Sequence, residues 1–264
     1  MSASSRPVVL VTGAARRLGR AMALDLAAHG FDVAVHYRGS AADAQATVAE
    51  LRALGARAEA FQADLSIEAA CRALVPAVAA HFGRCDAVVN SASVFEYDEP
   101  ATFSVAAMDK HWRANTAPAV ILAQALHAHL AGRTEDQAKS NGCVVNIIDQ
   151  KLWNPNPDYF SYTLSKAALQ AATVMLAQAL APSVRVCGVA PGVTLRSGPM
   201  DEQEFASAHT MTPLRRASTP ADIARTVRFL IESPAITGTT LLVDGGQHLA
   251  AQPRDVLYLA KKNP

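Results

Sequence analysis

The chain has 264 residues, 50% of them hydrophobic and 18% charged, which is sufficient for one large α/β domain with a buried core. Its formal net charge is +1 without a basic stripe, so we expect neither nucleic acid nor an anionic membrane as a partner. Widely spaced cysteines (Cys71, Cys85, Cys143 and Cys187) and a first apolar run too short for a signal peptide or membrane span favour a cytoplasmic protein without a metal site or disulfides.

Short apolar strands alternate with amphipathic helices along the chain. Strands are predicted over Val8–Thr12, Val33–Tyr37, Arg57–Gln62, Ala87–Asn90, Val144–Ile148, Val184–Val189 and Thr240–Val243. Helices are predicted over Leu18–Ala28, Ala41–Leu54, Ile67–Phe82, Val105–Leu130 (with a kink or new start at Pro118), Tyr162–Leu180 and Pro220–Ile231. The polar stretch Gly132–Asn141 is expected to form a loop. This alternation predicts an α/β fold: a single Rossmann-type, doubly wound parallel sheet of about seven strands with helices on both faces, in one domain over residues 1–264.

The first strand leads into a glycine turn that opens a helix, with the sequence Thr12-Gly13-Ala14-Ala15-Arg16-Arg17-Leu18-Gly19. Such a turn directs backbone N–H groups and a helix N-terminus at a pyrophosphate. Gly13 permits the tight turn, Gly19 permits close packing of helix on sheet, and the two arginines favour an anionic ligand. Taken alone, two glycines also fit an ordinary strand–helix turn.

The end of the second strand distinguishes between the two nicotinamide dinucleotides. The segment His36-Tyr37-Arg38-Gly39-Ser40 contains no acid that could bind a ribose 2′-hydroxyl. Arg38, Ser40 and Arg16 can instead contact a 2′-phosphate, which predicts NADPH, although Arg38 can also be a solvated loop charge. After the third strand, Asp64 can accept from an adenine amino group, or it can cap the next helix together with Ser66.

Tyr162-Thr163-Leu164-Ser165-Lys166 is the most informative stretch for catalysis. Residues four apart lie on one face of a helix, so the phenol and the ammonium can converge. An ammonium beside a phenol favours the phenolate and is expected to lower the pKa of Tyr162, which can then act as a general acid.

These motifs together resemble the short-chain dehydrogenase/reductase family over essentially the whole chain. The matching segments are Thr12-Gly13 with Gly19, Asp64-Leu65, Asn90–Ala92, Asn115, Tyr162 with Lys166, Pro191-Gly192 and Val243-Asp244-Gly245-Gly246. The resemblance implies Tyr162 as proton donor, Lys166 on the nicotinamide ribose, and Asn115 as holder of a water in the proton relay. The motifs and the resemblance together predict cofactor contacts from Gly13, Arg16, Arg17, Leu18, Gly19, His36, Tyr37, Arg38, Ser40, Asp64, Leu65, Asn90, Ser91, Ala92, Pro191, Gly192 and Thr194.

Three departures from the family pattern resemble its pteridine reductase and dihydromonapterin reductase branch. Arg17 stands where the turn normally has its middle glycine, and Asp149, thirteen residues before Tyr162, stands where the family has a catalytic serine. The usual NNAG segment reads Asn90-Ser91-Ala92-Ser93. A pterin is a flat, nitrogen-rich ring, and its reduction adds a hydride to a C=N carbon and a proton to nitrogen.

The substrate residues are assigned from this chemistry. Phe95 can stack on one face of the ring while the nicotinamide covers the other, or it can be ordinary core. Arg17 and Ser93 can bond the polar ring edge, although Arg17 can also contact only phosphate. Asp149 can accept from an amino group or relay a proton with a raised pKa, or it can be a strand-end turn residue. The further residues expected at the substrate are Tyr162, Trp153 (or a loop anchor) and Leu195.

Residues 192–215 are expected to form a substrate loop or lid, and residues 250–264 a C-terminal tail in which Arg254 can contact a neighbouring subunit. The resemblance implies a homotetramer. The predicted function is NADPH-dependent reduction of a pteridine, from a dihydropterin or dihydrofolate to the tetrahydro form. The alternatives are reduction of a 3-oxoacyl thioester or small ketone, and an NADPH-sensing regulatory protein without turnover.

Overall fold

The computed structural model describes residues 6–132, 142–196 and 200–260. Seven parallel strands form one sheet: β1 (Val8–Val11), β2 (Asp32–Tyr37), β3 (Ala58–Gln62), β4 (Ala87–Asn90), β5 (Gly142–Ile147), β6 (Val184–Pro191) and β7 (Thr240–Val243). Their order in the sheet is β3-β2-β1-β4-β5-β6-β7, so the chain winds outward in both directions from β1 and β4. The predicted doubly wound parallel sheet is therefore confirmed, and its switch point lies between β1 and β4.

The helices surround this sheet. They are α1 (Arg17–Ala28), α2 (Ala41–Ala53), α3 (Glu68–Phe82), α4 (Val105–His111), α5 (Ala117–Ala131), α6 (Phe160–Ala179), α7 (Glu202–Thr210), α8 (Pro220–Glu232) and α9 (Val256–Leu259). Short 3-10 turns cover Gln150–Trp153 and Gln247–Leu249. None of the helices within the described ranges is long and apolar enough to cross a bilayer.

Alternate residues of the strands pack into two separate hydrophobic cores, one on each face of the sheet. Val9 and Val11 of β1 pack on one face with α1, α2 and α8, while Val8 and Leu10 pack on the other with α3, α5 and the end of α6. Because both faces are covered, the central strands are apolar throughout, as the sequence predicts for a parallel sheet. All four cysteines are buried in these layers without disulfide partners.

The helix predicted over Val105–Leu130, with a kink or new start at Pro118, is interrupted as expected. The structure divides it into α4 and α5 with a π-helical turn, Trp112–Thr116, between them. Pro118 lies in the first turn of α5, where its missing N–H costs no helical bond. The break therefore precedes the proline. The predicted loop Gly132–Asn141 lies almost wholly outside the described residues, with only Gly132 placed, at the end of α5.

Candidate active site

A cavity of about 670 Å³ extends along the carboxyl edge of the sheet, across the switch point. The cavity is lined by predicted residues from the ends of the strands β1 to β6 and from α6: Gly13, Arg16, Arg17, Leu18, Gly19, His36, Tyr37, Arg38, Ser40, Asp64, Leu65, Ser91, Ala92, Ser93, Phe95, Asp149, Tyr162, Lys166, Pro191, Gly192, Thr194 and Leu195. Of the predicted site residues, all described, Asn90, Asn115 and Trp153 do not line this cavity.

The glycine turn is as tight as the sequence predicts. Gly13 has a φ of +66°, and a Cβ there would lie 3.1 Å from Ala92 Cα. A Cβ on Gly19 would lie only 2.3 Å from the Gly13 carbonyl oxygen, so the first turn of α1 can approach β1 only with glycine there. Both glycines also line the cavity, so the backbone at the start of α1 faces it without side chains.

His36 holds this turn from behind. The Gly13 N–H donates to His36 Nδ1 at 3.1 Å, and His36 Nε2 lies 3.1 Å from the Ala63 carbonyl oxygen. Nδ1 therefore accepts and Nε2 carries the proton, which is the neutral tautomer. Burial lowers the pKa of His36. Both ring nitrogens are engaged within the chain, so the predicted cofactor contact is better described as support for the turn.

Arginines surround the same end of the cavity. Arg16 forms an ion pair with Asp43, and Arg17 Nη2 donates to the Arg196 carbonyl oxygen at 2.7 Å. Arg17 has a φ of +52°, so it keeps the left-handed conformation that glycine has in the family pattern. Arg38 and Ser40 line the cavity beside them, at the end of β2.

Asp64 does not cap α3, which was one of its two predicted roles. Its Oδ1 accepts from the Ser66 N–H at 2.9 Å and from Ser66 Oγ at 2.7 Å, forming a local turn. The cap position of α3 is occupied by Ile67. The hydrogen bonds from Ser66 lower the pKa of Asp64, so it is an ionised acceptor on the cavity wall.

Three ionisable side chains meet where β5 ends and α6 begins. Tyr162 Oη donates to Asp149 Oδ2 at 2.8 Å. Lys166, one helical turn further along α6, donates from Nζ to the Ile147 carbonyl oxygen at 2.8 Å. Asp149 Oδ1 accepts from the Lys151 N–H at 2.8 Å, which fixes the carboxylate at the start of a 3-10 turn. The predicted meeting of these residues is present in the structure.

Burial dominates the electrostatics of this group. It raises the pKa of Asp149 above its ordinary value, and it lowers the pKa of Lys166 to about 8. Burial, together with the neighbouring Asp149 carboxylate, raises the pKa of Tyr162. The sequence-based expectation was the opposite direction for Tyr162. It was wrong because Lys166 Nζ lies 5.7 Å from the phenol ring centroid and bonds a backbone carbonyl, while Asp149 contacts the hydroxyl.

The side chain of Asn115, the residue predicted to hold a water, is fully hydrogen-bonded within the chain. Its Oδ1 accepts from the Val94 N–H at 2.7 Å and Ser93 Oγ at 3.1 Å, and its Nδ2 donates to the Val94 carbonyl and Ser165 Oγ, both at 3.0 Å. These bonds use all four polar positions of an amide. Asn115 therefore positions the segment before Phe95, while Asn90 donates to Asn146 Oδ1 at 2.8 Å beneath the cavity.

Phe95 lines the cavity and is 39% exposed, so it is not ordinary core. Its ring stacks on Tyr159 with centroids 4.0 Å apart, and it lies perpendicular to the Tyr162 ring with centroids 4.7 Å apart. Trp153, in contrast, is 38% exposed and lies outside the cavity wall. It lies at the end of the 3-10 turn Gln150–Trp153, of which Gln150 and Lys151 line the cavity.

Sequence reasoning missed the part of the cavity wall that comes from the end of the chain, which consists of Gln247, Asp255, Val256 and Leu257. The tail residues carry no motif, and the contact that brings them to residue 151 spans 104 positions. Within the predicted lid, Leu195 and Met200 line the cavity and α7 follows; residues 197–199 lie outside the described ranges. Arg254, for which a contact with a neighbouring subunit was predicted, donates to Asp158 of its own chain at 2.8 Å.

The comparisons with known proteins agree with this geometry. A family model described as enoyl-(acyl carrier protein) reductase matches residues 13–248. Pteridine reductase 1 of Leishmania tarentolae is 35% identical, covering 92% of this chain and 96% of that protein. The 3-oxoacyl-(acyl-carrier-protein) reductase FabG of Staphylococcus aureus is 31% identical, covering 91% and 97%. The crystal structure of FolM alternative dihydrofolate reductase 1 from Brucella canis complexed with NADP superposes with a TM-score of 0.87 at 41% identity, covering 96% of this chain and 98% of that chain.

Proposed function

Because this chain belongs to the short-chain dehydrogenase/reductase family, with relatives named for pteridine and dihydrofolate reduction, we propose that it is an NADPH-dependent pteridine reductase. Its substrate is a dihydropterin or dihydrofolate, which it converts to the tetrahydro form. The 2.8 Å hydrogen bond from Tyr162 Oη to Asp149 Oδ2 carries this proposal. A carboxylate in this place can exchange protons with a ring nitrogen, which a serine hydroxyl does poorly.

The cavity suits NADPH. Gly13 and Gly19 line the cavity where α1 begins, and because they carry no side chains a pyrophosphate can approach the backbone at this helix N-terminus. Arg38 and Ser40 line the wall at the end of β2, where an acid would repel a 2′-phosphate. We propose that these residues hold the phosphates, with Arg16 and Arg17 beside them and Asp64 at the adenine. When bound, NADPH supplies the hydride that adds to a C=N carbon of the substrate.

The chain itself supplies the proton that nitrogen must gain. Tyr162 retains its proton because burial and Asp149 raise its pKa, and it shares that proton with Asp149 Oδ2. We propose that Tyr162 delivers the proton to the ring nitrogen and that Asp149 returns one to the phenol. Lys166, buried and held by the Ile147 carbonyl, places a positive charge beside both groups.

The substrate half of the cavity matches a flat polar ring. Phe95 offers an aromatic surface, supported from behind by Tyr159. Ser93 and Arg17 place a hydroxyl and a guanidinium on the same wall. We propose that the ring stacks on Phe95 and that its nitrogen edge bonds Ser93, Arg17 and Asp149.

Steady-state kinetics test this proposal. We expect dihydrobiopterin to stimulate NADPH oxidation, and Asp149→Ala and Tyr162→Phe to reduce kcat by about 10²–10⁴-fold, the usual contribution of a positioned proton donor. Asp109→Asn is the matched control, because that acid lies on α4 in an exposed ion pair with Arg113. Turnover of a 3-oxoacyl thioester without response to any pterin would contradict the proposal.

We also propose a cytoplasmic homotetramer in which each chain acts as one domain. The support for assembly is the exposed apolar face of α6, where Leu164, Val174 and Met175 are 40%, 45% and 61% exposed. Exposed alanines at positions 167 and 171 complete this face and permit close approach of a second helix. The burial of all four cysteines fits a reducing compartment.

A further inference from the structure

The tail segment, residues Arg254–Leu259, closes the substrate end of the cavity from within the same chain. Asp255, Val256 and Leu257 line the cavity beside Asp149 and Lys151. Val256 and Leu257 are buried in a small core with Met200 and Ala208 from the region of α7. The tail is therefore part of the pocket wall.

Asp158 provides the first of two anchors for the start of this segment. Arg254 Nε donates to both carboxylate oxygens of Asp158, at 3.0 and 2.8 Å, and the Asp255 N–H donates to Asp158 Oδ2 at 2.7 Å. Asp158 has only 1% of its side chain exposed. A buried carboxylate with three charge-assisted or backbone bonds holds the tail in one place.

Lys151, in the 3-10 turn Gln150–Trp153, provides the second anchor. Only 4% of its side chain is exposed, and its Nζ donates to the Asp158 carbonyl oxygen at 2.5 Å and to Asp255 Oδ2 at 3.3 Å. A buried ammonium requires an anionic partner, so Lys151 and Asp255 fix each other. The same residue gives its backbone N–H to Asp149, which connects this ion pair directly to the proton-donating group.

Asp255 retains the capacity to accept more bonds. Its Oδ1 accepts from the Leu257 N–H at 3.1 Å, which caps α9, and its Oδ2 accepts from Lys151. A carboxylate has about four lone-pair sites, so two remain on a side chain that is 17% exposed and lines the cavity. Its charge is also close enough to contribute to the raised pKa of Asp149 and of Tyr162, after burial in each case.

We propose that Asp255 is a specificity-determining residue: Lys151 holds its carboxylate at the cavity wall, where it accepts a hydrogen bond from a hydroxyl or amino group on the substituent of the ring. An ionised carboxylate only accepts, so this wall selects substituents that donate. The inference rests on the proposed pteridine reduction and names the part of the substrate that the tail recognises. Lys151 is a positioning residue, because it acts through Asp255.

The kinetic test compares two dihydropterins, one with a hydroxyl-bearing side chain (dihydrobiopterin) and one with a methyl group in its place. Asp255→Ser keeps a good cap for α9 but withdraws the carboxylate. We expect KM for dihydrobiopterin to rise by about tenfold, the loss of one hydrogen bond to a charged group, while KM for the methyl compound and the Kd of NADPH stay at wild-type values. Equal changes for both substrates, or no change for either, would overturn the proposal.

Lys151→Met tests the positioning role with a readout that needs no turnover. We expect faster amide deuterium exchange in the peptide that contains the tail segment. The Leu257 amide bonds the Asp255 carboxylate, which Lys151 holds, and the Asp255 amide bonds the carboxylate of Asp158, whose backbone carbonyl Lys151 also contacts. Glu68→Ser, which removes an exposed ion pair with Arg72, is the control and should leave exchange in the tail unchanged. Unchanged tail exchange in Lys151→Met would contradict the role of the ion pair.

Failure of the proposed function and failure of the proposed role of Asp255 give different results. If the wild-type protein reduces no pterin, the proposed function is wrong, and the exchange experiment still decides whether Lys151 holds the tail. If the wild type reduces both pterins and Asp255→Ser does not separate them, the function stands and the specificity role of Asp255 is wrong.

Discussion

At the scale of single residues, Asp149 explains how a buried phenol can remain a proton donor. A carboxylate moved out of water prefers its neutral form, and the hydrogen bond from Tyr162 only partly offsets that cost. The same carboxylate discourages ionisation of Tyr162. The two groups therefore favour a shared proton, whereas Lys166 supplies positive charge that is itself reduced by burial.

The first prediction concerns the pH dependence of the reaction. Because kcat/KM reports the free enzyme and the pKa of Lys166 is about 8, we expect kcat/KM to fall as the pH rises through that value. Asp149 raises the pKa of Lys166, so Asp149→Asn should move the alkaline limb of its residual activity to lower pH. A limb that moves to higher pH in this variant would contradict the assignment.

The second prediction concerns stability. The folded state raises the pKa of Asp149, so it binds this proton more tightly than the unfolded chain, and the wild type loses stability as the pH rises above the ordinary aspartate value of 3.8. Asp149→Asn removes this loss. We expect urea unfolding of Asp149→Asn to show a larger free energy of unfolding than wild type at pH 7, and a smaller difference from wild type at acid pH. The control Asp109→Asn should show no such pH-dependent difference from wild type. A variant less stable at pH 7 would show that the carboxylate is a net stabiliser.

At the scale of elements, each loop at the carboxyl edge is fixed by a bond from a neighbouring element. His36 of β2 holds the Gly13 turn, and Asn115 of the π turn holds the segment before Phe95. The helix α1 can begin so close to β1 only because Gly19 has no side chain. The site is thus positioned by the ends of rigid elements, which limits its freedom to deform.

The third prediction tests that close approach. In an ordinary helix Gly→Ala stabilises by about 1 kcal/mol, but at Gly19 the added Cβ meets a backbone carbonyl, so we expect a loss of about 1–3 kcal/mol and weaker NADPH binding. Gly39→Ala is the control for unfolding, because a Cβ at Gly39 would meet nothing within 4 Å. Chemical denaturation and a binding titration measure both effects, and a Gly19→Ala variant as stable as wild type would contradict the packing argument.

The elements that the sequence predicts well are those with a local signal. The seven apolar runs became the seven strands within a residue or two at most ends, because a strand covered on both faces must be apolar over its length. The new start of α5 had a local signal in Pro118. The π turn before it had none, because it is stabilised by tertiary bonds of Asn115 and Thr116. The four-residue α9 is too short for a helical period, and its place at the cavity depends on Lys151, far away in sequence.

At the scale of the whole molecule, the sheet brings the two halves of the site together. The strands β1 to β3 carry the residues that suit phosphates and adenine, and β4 to β6 carry those that suit the reacting ring. The residues for chemistry were predictable because each follows a strand with a known direction. The part of the cavity wall formed by the tail segment was not predictable, because the tail segment reaches the site through charge pairs and aromatic contacts, such as that of Tyr258 with Tyr97.

The fourth prediction concerns assembly. If the exposed face of α6 is buried between subunits, a charge at Met175 must be desolvated in the assembly, so Met175→Asp should reduce the oligomer to smaller species. Light scattering should give about four times 27.8 kDa for the wild type and for Leu54→Asp, a control at an exposed apolar residue just after α2. A wild-type monomer would contradict the tetramer.

The most direct test of the central claim is a crystal structure of the protein with NADP and the pterin analogue methotrexate. We predict that the pteridine ring lies between Phe95 and the nicotinamide, with Asp149 and Tyr162 within hydrogen-bond distance of its nitrogen edge. A pteridine ring bound elsewhere, or an Asp149 carboxylate turned away from both rings, would contradict the account and leave only a reductase of unassigned substrate.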